Sequence, residues 1–291
     1  MNAALRPQPL NIISVCTGGA GLDLGFELAV PSSRSVCMVE REAFAVAQLV
    51  SAMEAGLMVP APIWSDARSF DGRAWRGAVD GLIGGIPCQP HSLAGKRLAE
   101  EDERDLWSDA RRIIVQSGAW LVLIENVRGM LSSGGAERVW RDLHRLGFEV
   151  EGGLFTAAEV GDSQERERFF VFAVADARCA RLQGDQQRGS LGEWLRPTSS
   201  RSVAELRRTR LFPPGPDDLE GWREFSSTAP HLEPEVCRVA DGMAHRLDEL
   251  RMLGNGVVPL QAAYAIRTLA TRLAARGSAG AARLVRMMEA G

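Results

Sequence analysis

The sequence predicts an α/β protein with a doubly wound, mostly parallel β-sheet and a smaller second domain. Short apolar runs such as residues 11–16 and 120–124 have the length of buried strands, and helix-periodic segments lie between them. The turn at residues 17–21 contains glycines and joins the first strand to the first helix, as in nucleotide-binding α/β folds. After residue 176 the periodicity fades into Arg, Gln, Gly, Pro and Ser, which indicates a separate unit.

Length and composition fit one large domain with a small companion. The chain has 291 residues and an ordinary apolar fraction of 45%. No apolar run approaches the roughly 20 residues that a membrane helix needs. Residues 1–9 lack the pattern of a signal peptide, so we expect a cytoplasmic protein without a membrane segment.

The cysteine spacing and the net charge limit the kinds of site that we expect in this protein. The cysteines form no C-x-x-C pair and are odd in number, which argues against a disulfide framework and a zinc site and predicts reduced thiols and no metal. They stand at positions 16, 37, 88, 179 and 237. The net charge of −3 means that any contact with nucleic acid is a local patch. Residues 164–210, with ten arginines and six acidic residues, are the basic stretch.

The first strands carry acids at their carboxyl ends. A strand at residues 35–39 ends at Glu40, where nucleotide-binding folds place a carboxylate for ribose hydroxyls. A short strand at residues 63–64 is followed by Asp66. Taken alone, both residues fit solvated acids at strand ends better than ligands.

The loop from Gly84 to Pro90 is predicted to be stiff and to hold Cys88 in a fixed position. Its two prolines fix φ on either side of Cys88, and its glycines allow close approach to a ligand. A small buried hydrophobic residue is the alternative for this thiol. The strand at 120–124 would lie beside the loop, so that Glu125 at its end and Cys88 face one crevice.

The remaining elements follow the same alternation. Helices are predicted at 22–30, 106–116, 136–146 and 260–273, and strands at 148–156 and 168–175. Gln164, Arg166 and Arg168, spaced by two, share one face if the last strand begins early. The final helix is expected to pack back on the first domain.

Four motifs in order resemble the cytosine-C5 DNA methyltransferase family. They are Pro87-Cys88-Gln89, Glu125-Asn126-Val127, Gln164-x-Arg166-x-Arg168, and the run from Gly254 to Pro259. The resemblance covers nearly the whole chain except residues 176–231. It implies a Rossmann-like methyltransferase fold: an S-adenosylmethionine-binding catalytic domain at 1–175, a small target-recognition region at 176–235, and a segment at 236–291 that returns to the catalytic domain.

The resemblance also implies roles for individual residues. Cys88 would add as a thiolate to C6 of cytosine, Glu125 would hold a proton against N3, and Arg166 would hold the base carbonyl. Asn126 and Asn255 would brace loops. The cofactor would contact Cys16, Gly18, Gly21, Leu22, Glu40, Asp66, Asn255 and Val257. Cys16 stands where the family usually has Phe, and Ala20 where it has Gly, so stacking on the adenine is reduced.

The implied activity is methylation of C5 of a flipped-out cytosine at a specific site in double-stranded DNA, by a monomer. Such an enzyme either accompanies a restriction endonuclease that cuts the same site or is solitary, and the sequence leaves both alternatives open. A tRNA cytosine-5 methyltransferase and a non-catalytic DNA-binding relative are the alternatives. The variable region, suited to reading a duplex, argues against the first, and the intact Cys88, Glu125 and Arg166 argue against the second. A nicotinamide oxidoreductase would explain the glycine turn but not the cysteine loop.

Overall fold

The computed structural model describes residues 9–87, 105–162, 165–176, 220, 221, 223 and 256–290. Cys88, Gln164, Asn255 and nearly all of the predicted recognition region lie outside these residues. The predicted division into domains therefore stays a prediction.

Seven strands in the described residues form one sheet. They are β1 (Leu10–Val15), β2 (Ser33–Val39), β3 (Ile63–Trp64), β4 (Gly81–Gly84), β5 (Leu121–Val127), β6 (Glu149–Thr156) and β7 (Glu167–Val174). Their order is β3-β2-β1-β4-β5-β7-β6. The pairs among the first five strands are parallel, whereas β7 is antiparallel to both β5 and β6. The doubly wound, mostly parallel sheet is confirmed.

The strand order reverses between β1 and β4. The chain runs outward from β1 through β2 to β3 and then returns to place β4 on the other side of β1. Ligands of such sheets bind beyond the carboxyl ends of the strands at this switch point. The turn after β1 and the loop after β4, both singled out from the sequence, lie there.

Helices cover the sheet in the described ranges. They are α1 (Gly21–Ala29), α2 (Ala43–Glu54), α3 (Trp107–Ser117), α4 (Gly129–Ser132), α5 (Gly135–Arg145), α6 (Pro259–Ala275) and α7 (Ala279–Glu289), with 3-10 turns at Gly72–Trp75 and Ala157–Val160. None of the described helices is long and apolar enough to cross a membrane.

Each face of the sheet has its own core. Alternation along β1 sends Ile13 to one face, with α3 and α5, and Ile12 to the other, with α1, α6 and α7. Helix α6 packs on α1 in the second of these cores. At Gly25 of α1 an added Cβ would lie 2.6 Å from the Cβ of Ala262, so glycine permits this close approach.

One boundary differs in a way that matters for the site. We expected Glu125 to follow the end of its strand, but β5 continues through Glu125 and Asn126 to Val127. The reason is pairing with β7, in which Glu125 lies opposite Phe170 and Val127 opposite Arg168. Glu125 is therefore held by a ladder on its β7 side rather than by a loop.

Candidate active site

The register of β4 and β5 places Glu125 beside the cysteine loop. Gly84 pairs with Ile124, so Glu125 is level with Gly85, the first residue of that loop. A Cβ added to Gly85 would lie 3.2 Å from Oε2 of Glu125. The carboxyl group is buried, with 6% of Glu125 exposed. Glycine at position 85 thus leaves the room that this carboxyl group occupies.

Asn126 fixes the loop itself. Its Nδ2 donates to the carbonyl of Ile86 at 2.8 Å, and its Oδ1 accepts from the backbone N–H of Val127 at 2.8 Å. Ile86 stands two residues before Cys88. This hydrogen bond supports the predicted bracing role of Asn126, which stays a prediction because Cys88 lies outside the described residues.

The environment of Glu125 makes its carboxyl group a weaker acid than an exposed glutamate. Burial raises the pKa of this carboxyl group to about 7, although the nearby guanidinium groups of Arg168 and Arg166 act in the opposite direction. Nε of Arg168 lies 3.0 Å from Oε1 of Glu125. Both protonation states are therefore populated near pH 7, as general acid catalysis requires.

Arg168 is the site residue that the sequence did not single out for catalysis. It lies two residues from Phe170, the partner of Glu125, and so shares the face of Glu125. Its membership of the Gln-x-Arg-x-Arg motif was a signal, but choosing between the two arginines requires the strand register. The predicted contact of Arg166 with a base carbonyl stays a prediction.

Arg166 precedes β7 and faces another partner. Its Nη2 donates to the carbonyl of Gly256. Burial lowers the pKa of its guanidinium, and repulsion from Arg168 adds to that effect. Arg166 thus links the start of β7 to the segment that precedes α6.

The glycine turn after β1 is tied to the end of β2 through Glu40. One carboxylate oxygen of Glu40, Oε2, accepts from the N–H of Gly18 at 2.7 Å, and Oε1 accepts from the N–H of Glu42 at 2.8 Å. Cys16 and Ala20 both have positive φ, 54° and 59°. Such a conformation costs a non-glycine residue roughly 1–2 kcal/mol, so two positions of the turn are strained.

The structure also describes three other predicted cofactor residues, Asp66, Val257 and Leu22. Asp66 lies half-exposed after β3, and its Oδ1 accepts from the N–H of Arg68 at 3.0 Å. The carbonyl of Val257 lies against Gly21, where an added Cβ would clash. The side chain of Leu22 is buried in the core that α1 shares with α6.

A buried polar cluster under the turn was missed from the sequence. Asp23 accepts hydrogen bonds from the hydroxyl groups of Ser14, at 2.9 Å, and Ser35, at 2.5 Å. Thr17 donates to Ser14 at 3.0 Å. Burial raises the pKa of Asp23. Isolated Ser and Asp residues inside apolar segments carry no pattern from which this cluster could be predicted.

The turn suits a small polar ligand that bears hydroxyl groups. None of the described residues lies within 4 Å of a Cβ added at Gly18, so this part of the chain leaves space above the turn. The buried carboxylate of Glu40 can accept further hydrogen bonds, since each oxygen has more than one lone pair. In the described residues no group of three His, Cys, Asp or Glu side chains could hold a metal ion.

Comparison with known proteins agrees with these motifs. The family model for C-5 cytosine-specific DNA methylase matches residues 10–202. The type II methyltransferase M.NgoMIV of Neisseria gonorrhoeae is 32% identical over 169 residues, which cover 56% of this chain and 51% of the relative. M.NaeI of Lentzea aerocolonigenes is 27% identical over 232 residues, or 79% of this chain and 52% of the relative. The chain therefore spans about half the length of these relatives.

A solved structure is also similar. A DNMT2 mutant of Spodoptera frugiperda aligns with a TM-score of 0.48 and 20% sequence identity. The alignment covers 58% of this chain and 50% of that one.

Proposed function

Because the chain belongs to the C-5 cytosine-specific DNA methylase family, we propose that it methylates C5 of cytosine in duplex DNA, with S-adenosylmethionine as methyl donor. The observation that carries the proposal is the position of Glu125. A carboxyl group with a pKa of about 7 lies against the first residue of the loop that bears Cys88.

The chemistry requires a nucleophile and an acid on one base. C5 of cytosine is a poor nucleophile until a thiolate adds to C6, which moves electron density to C5 and to N3. Cys88 supplies the thiolate, and the protonated carboxyl group of Glu125 donates to N3. When bound, S-adenosylmethionine would supply an electrophilic methyl group for C5 and would leave as S-adenosylhomocysteine. N3 then returns its proton to Glu125, and loss of the C5 proton to a base restores the C5–C6 double bond and expels the thiolate of Cys88.

The two carboxyl oxygens of Glu125 have different neighbours. Arg168 engages Oε1, whereas Oε2 faces Gly85 and the cysteine loop. The hydrogen bond from Arg168 to Oε1 orients the carboxyl group, and Oε2 is the oxygen that we propose to carry the proton donated to N3. Arg166, held near Gly256, is proposed to contact the base carbonyl.

The cofactor is assigned to the switch point of the sheet. Gly18 and Gly21 would border the methionine moiety, Glu40 would accept from the ribose hydroxyls, and Asp66 would accept from the adenine amino group. Cys16, Leu22, Asn255 and Val257 complete the proposed set. The space that the described residues leave above Gly18 and the buried carboxylate of Glu40 support this assignment.

Target recognition is assigned to residues 176–235. The reacting atom is hidden in stacked DNA, so the target nucleotide has to rotate out of the duplex. Chemistry at one cytosine among many also requires contacts to neighbouring base edges, which Arg and Gln side chains provide. Exchange of residues 176–231 for those of a relative with another target should move methylation to the relative's site, if the chimera is active.

Bisulfite sequencing tests the proposal directly. Plasmid DNA and RNA would be sequenced from cells that express the wild type, the inactive variant Cys88→Ser, or Cys237→Ser, a matched control outside the proposed recognition region. We expect methylated cytosines at one DNA sequence with the wild type and the control only. Methylation confined to RNA, or none with a folded wild type, would contradict the proposal.

Glu125→Gln should lower the single-turnover rate roughly 10²-fold or more while DNA binding persists.

A further inference from the structure

The first turn of α6 contains a fully buried amide. Gln261 has no exposed surface, and its Nε2 donates to the carbonyl of Phe155 and to the carbonyl of Arg166, each at 2.8 Å. Phe155 belongs to β6, and Arg166 precedes β7. One side chain therefore ties α6 to the end of β6 and to the start of β7.

The segment just before Gln261 covers the cofactor turn. The carbonyl of Val257 lies against Gly21, and the carbonyl of Pro259 would be 2.7 Å from a Cβ added at Gly25. The start of α1 and residues 257–259 are thus in direct backbone contact. A ligand that orders the glycine turn will also restrain this segment.

The same segment holds Arg166 at two points. Gln261 binds its main-chain carbonyl, and the carbonyl of Gly256 accepts from its guanidinium. Two residues further on, Arg168 is ion-paired with Glu125. A continuous set of contacts therefore connects Gly21 to Glu125 through residues 256–261 and the start of β7.

Packing alone does not account for an amide at position 261. Its Oε1 is buried and has no hydrogen-bond partner among the described residues. A buried acceptor without a donor destabilises the folded state, and a methionine of similar size would avoid that cost. The two hydrogen bonds from Nε2 are what the amide provides.

We propose that Gln261 is a positioning residue that couples the cofactor turn to the arginines beside Glu125. The inference rests on the proposed function, since it assigns the two coupled sites to S-adenosylmethionine and the target base. Occupation of the turn restrains residues 256–261, and Gln261 transmits the restraint to Arg166 and Arg168. Each ligand then binds more tightly when the other is present, by the same factor.

Calorimetry on the full chain measures this factor. The probes are S-adenosylhomocysteine and a duplex with the site that the wild type methylates, each titrated in the absence and presence of the other. We expect tightening of about 5-fold or more in the wild type. In Gln261→Met the factor should fall to less than half of that value, whereas Ile266→Val, a buried change on the same helix, should leave it intact.

Three results would overturn the proposal. They are an unchanged factor in Gln261→Met, an equal loss in Ile266→Val, and a wild-type factor of one. A second test uses only the wild type, so it does not depend on whether Gln261→Met folds. S-adenosylhomocysteine should increase the protection of the backbone amides of residues 167–169 against hydrogen exchange. Unchanged protection there, with the ligand bound, overturns the coupling even if the chain methylates no DNA, so the two failures are distinguishable.

Discussion

Oε1 of Glu125 and Nε of Arg168 lie 3.0 Å apart across adjacent antiparallel strands. Burial alone would push the pKa of the carboxyl group higher, and the guanidinium opposes it, so that the result is about 7. The pair therefore sets the fraction of Glu125 that holds a proton at neutral pH.

Removal of this guanidinium should raise the pKa of Glu125. We expect Arg168→Met to shift the titration of Glu125 above pH 7, because the attraction and the hydrogen bond that lower the pKa are lost. NMR of protein labelled at the glutamate carboxyl carbon, assigned with Glu125→Gln, measures the shift. Arg128→Met, which removes the ion pair with Glu167, is the control and should leave this titration unchanged. Equal titration in Arg168→Met and the wild type would contradict the assignment.

The raised pKa also makes the folding free energy depend on pH. The native state keeps the proton of Glu125 to about pH 7, whereas the unfolded chain releases it near 4.5. The contribution to stability is thus complete below about pH 4.5 and is lost as the pH rises to about 7. Urea unfolding at several pH values should show this decline in the wild type relative to Glu125→Gln. A difference between the two proteins that does not vary with pH would argue against a raised pKa.

Loss of the Asn126 brace should slow attack by the cysteine. Asn126→Ala removes the hydrogen bond to Ile86, and we expect covalent trapping by a duplex with 5-fluorocytosine at the target to slow about 10-fold or more. Asn11→Ala is a matched control, because Asn11 donates to the carbonyl of Ala78 at 2.9 Å, away from the cysteine loop. The same trapping rate in both variants would remove Asn126 from the positioning of the loop.

Glu40 should control cofactor affinity. In Glu40→Gln an amide N–H₂ would face the N–H of Gly18 or of Glu42, and a charged acceptor is lost. Hydrogen bonds to charged groups contribute about 1.5–3 kcal/mol, so we expect binding of S-adenosylhomocysteine to weaken about 10-fold or more. Calorimetry measures the affinity. Glu42→Gln is the control, because it changes an exposed side chain and keeps the backbone N–H that donates to Glu40. Similar affinities for both variants would exclude the proposed role.

The parallel part of the fold was predictable because buried parallel strands are continuous apolar runs. The runs at β1, β4 and β5 stand out between polar segments. The antiparallel insertion of β7 between β5 and β6 was not predictable, since partner choice depends on contacts distant in sequence. For that reason Glu125 was expected at the end of its strand, and Arg168 was not separated from Arg166. Helix α7 was not predicted, although Ser278 caps it as an N-cap serine should.

Within the site, the residues of the motifs could be identified from the sequence, but the buried residues that hydrogen-bond to the surrounding segments could not. Asn126 and Glu125 were identified from one tripeptide, and the structure places both against the loop after β4. Gln261 and Asp23 act through buried hydrogen bonds to groups far along the chain, which no local pattern reports. Leu22 is buried in the core between α1 and α6, and its predicted contact with the cofactor stays a prediction.

The late position of α6 and α7 determines when the cofactor side can form during synthesis. Leu10 and Phe26, made early, are buried in a core that Ile266 and Leu284, made late, complete. The carbonyl of Val257, which lies against Gly21, also arrives late. On the ribosome, the nascent chain leaves this face of the sheet uncovered until α6 and α7 emerge. We therefore expect the proposed cofactor site to be complete only after these two helices have been made.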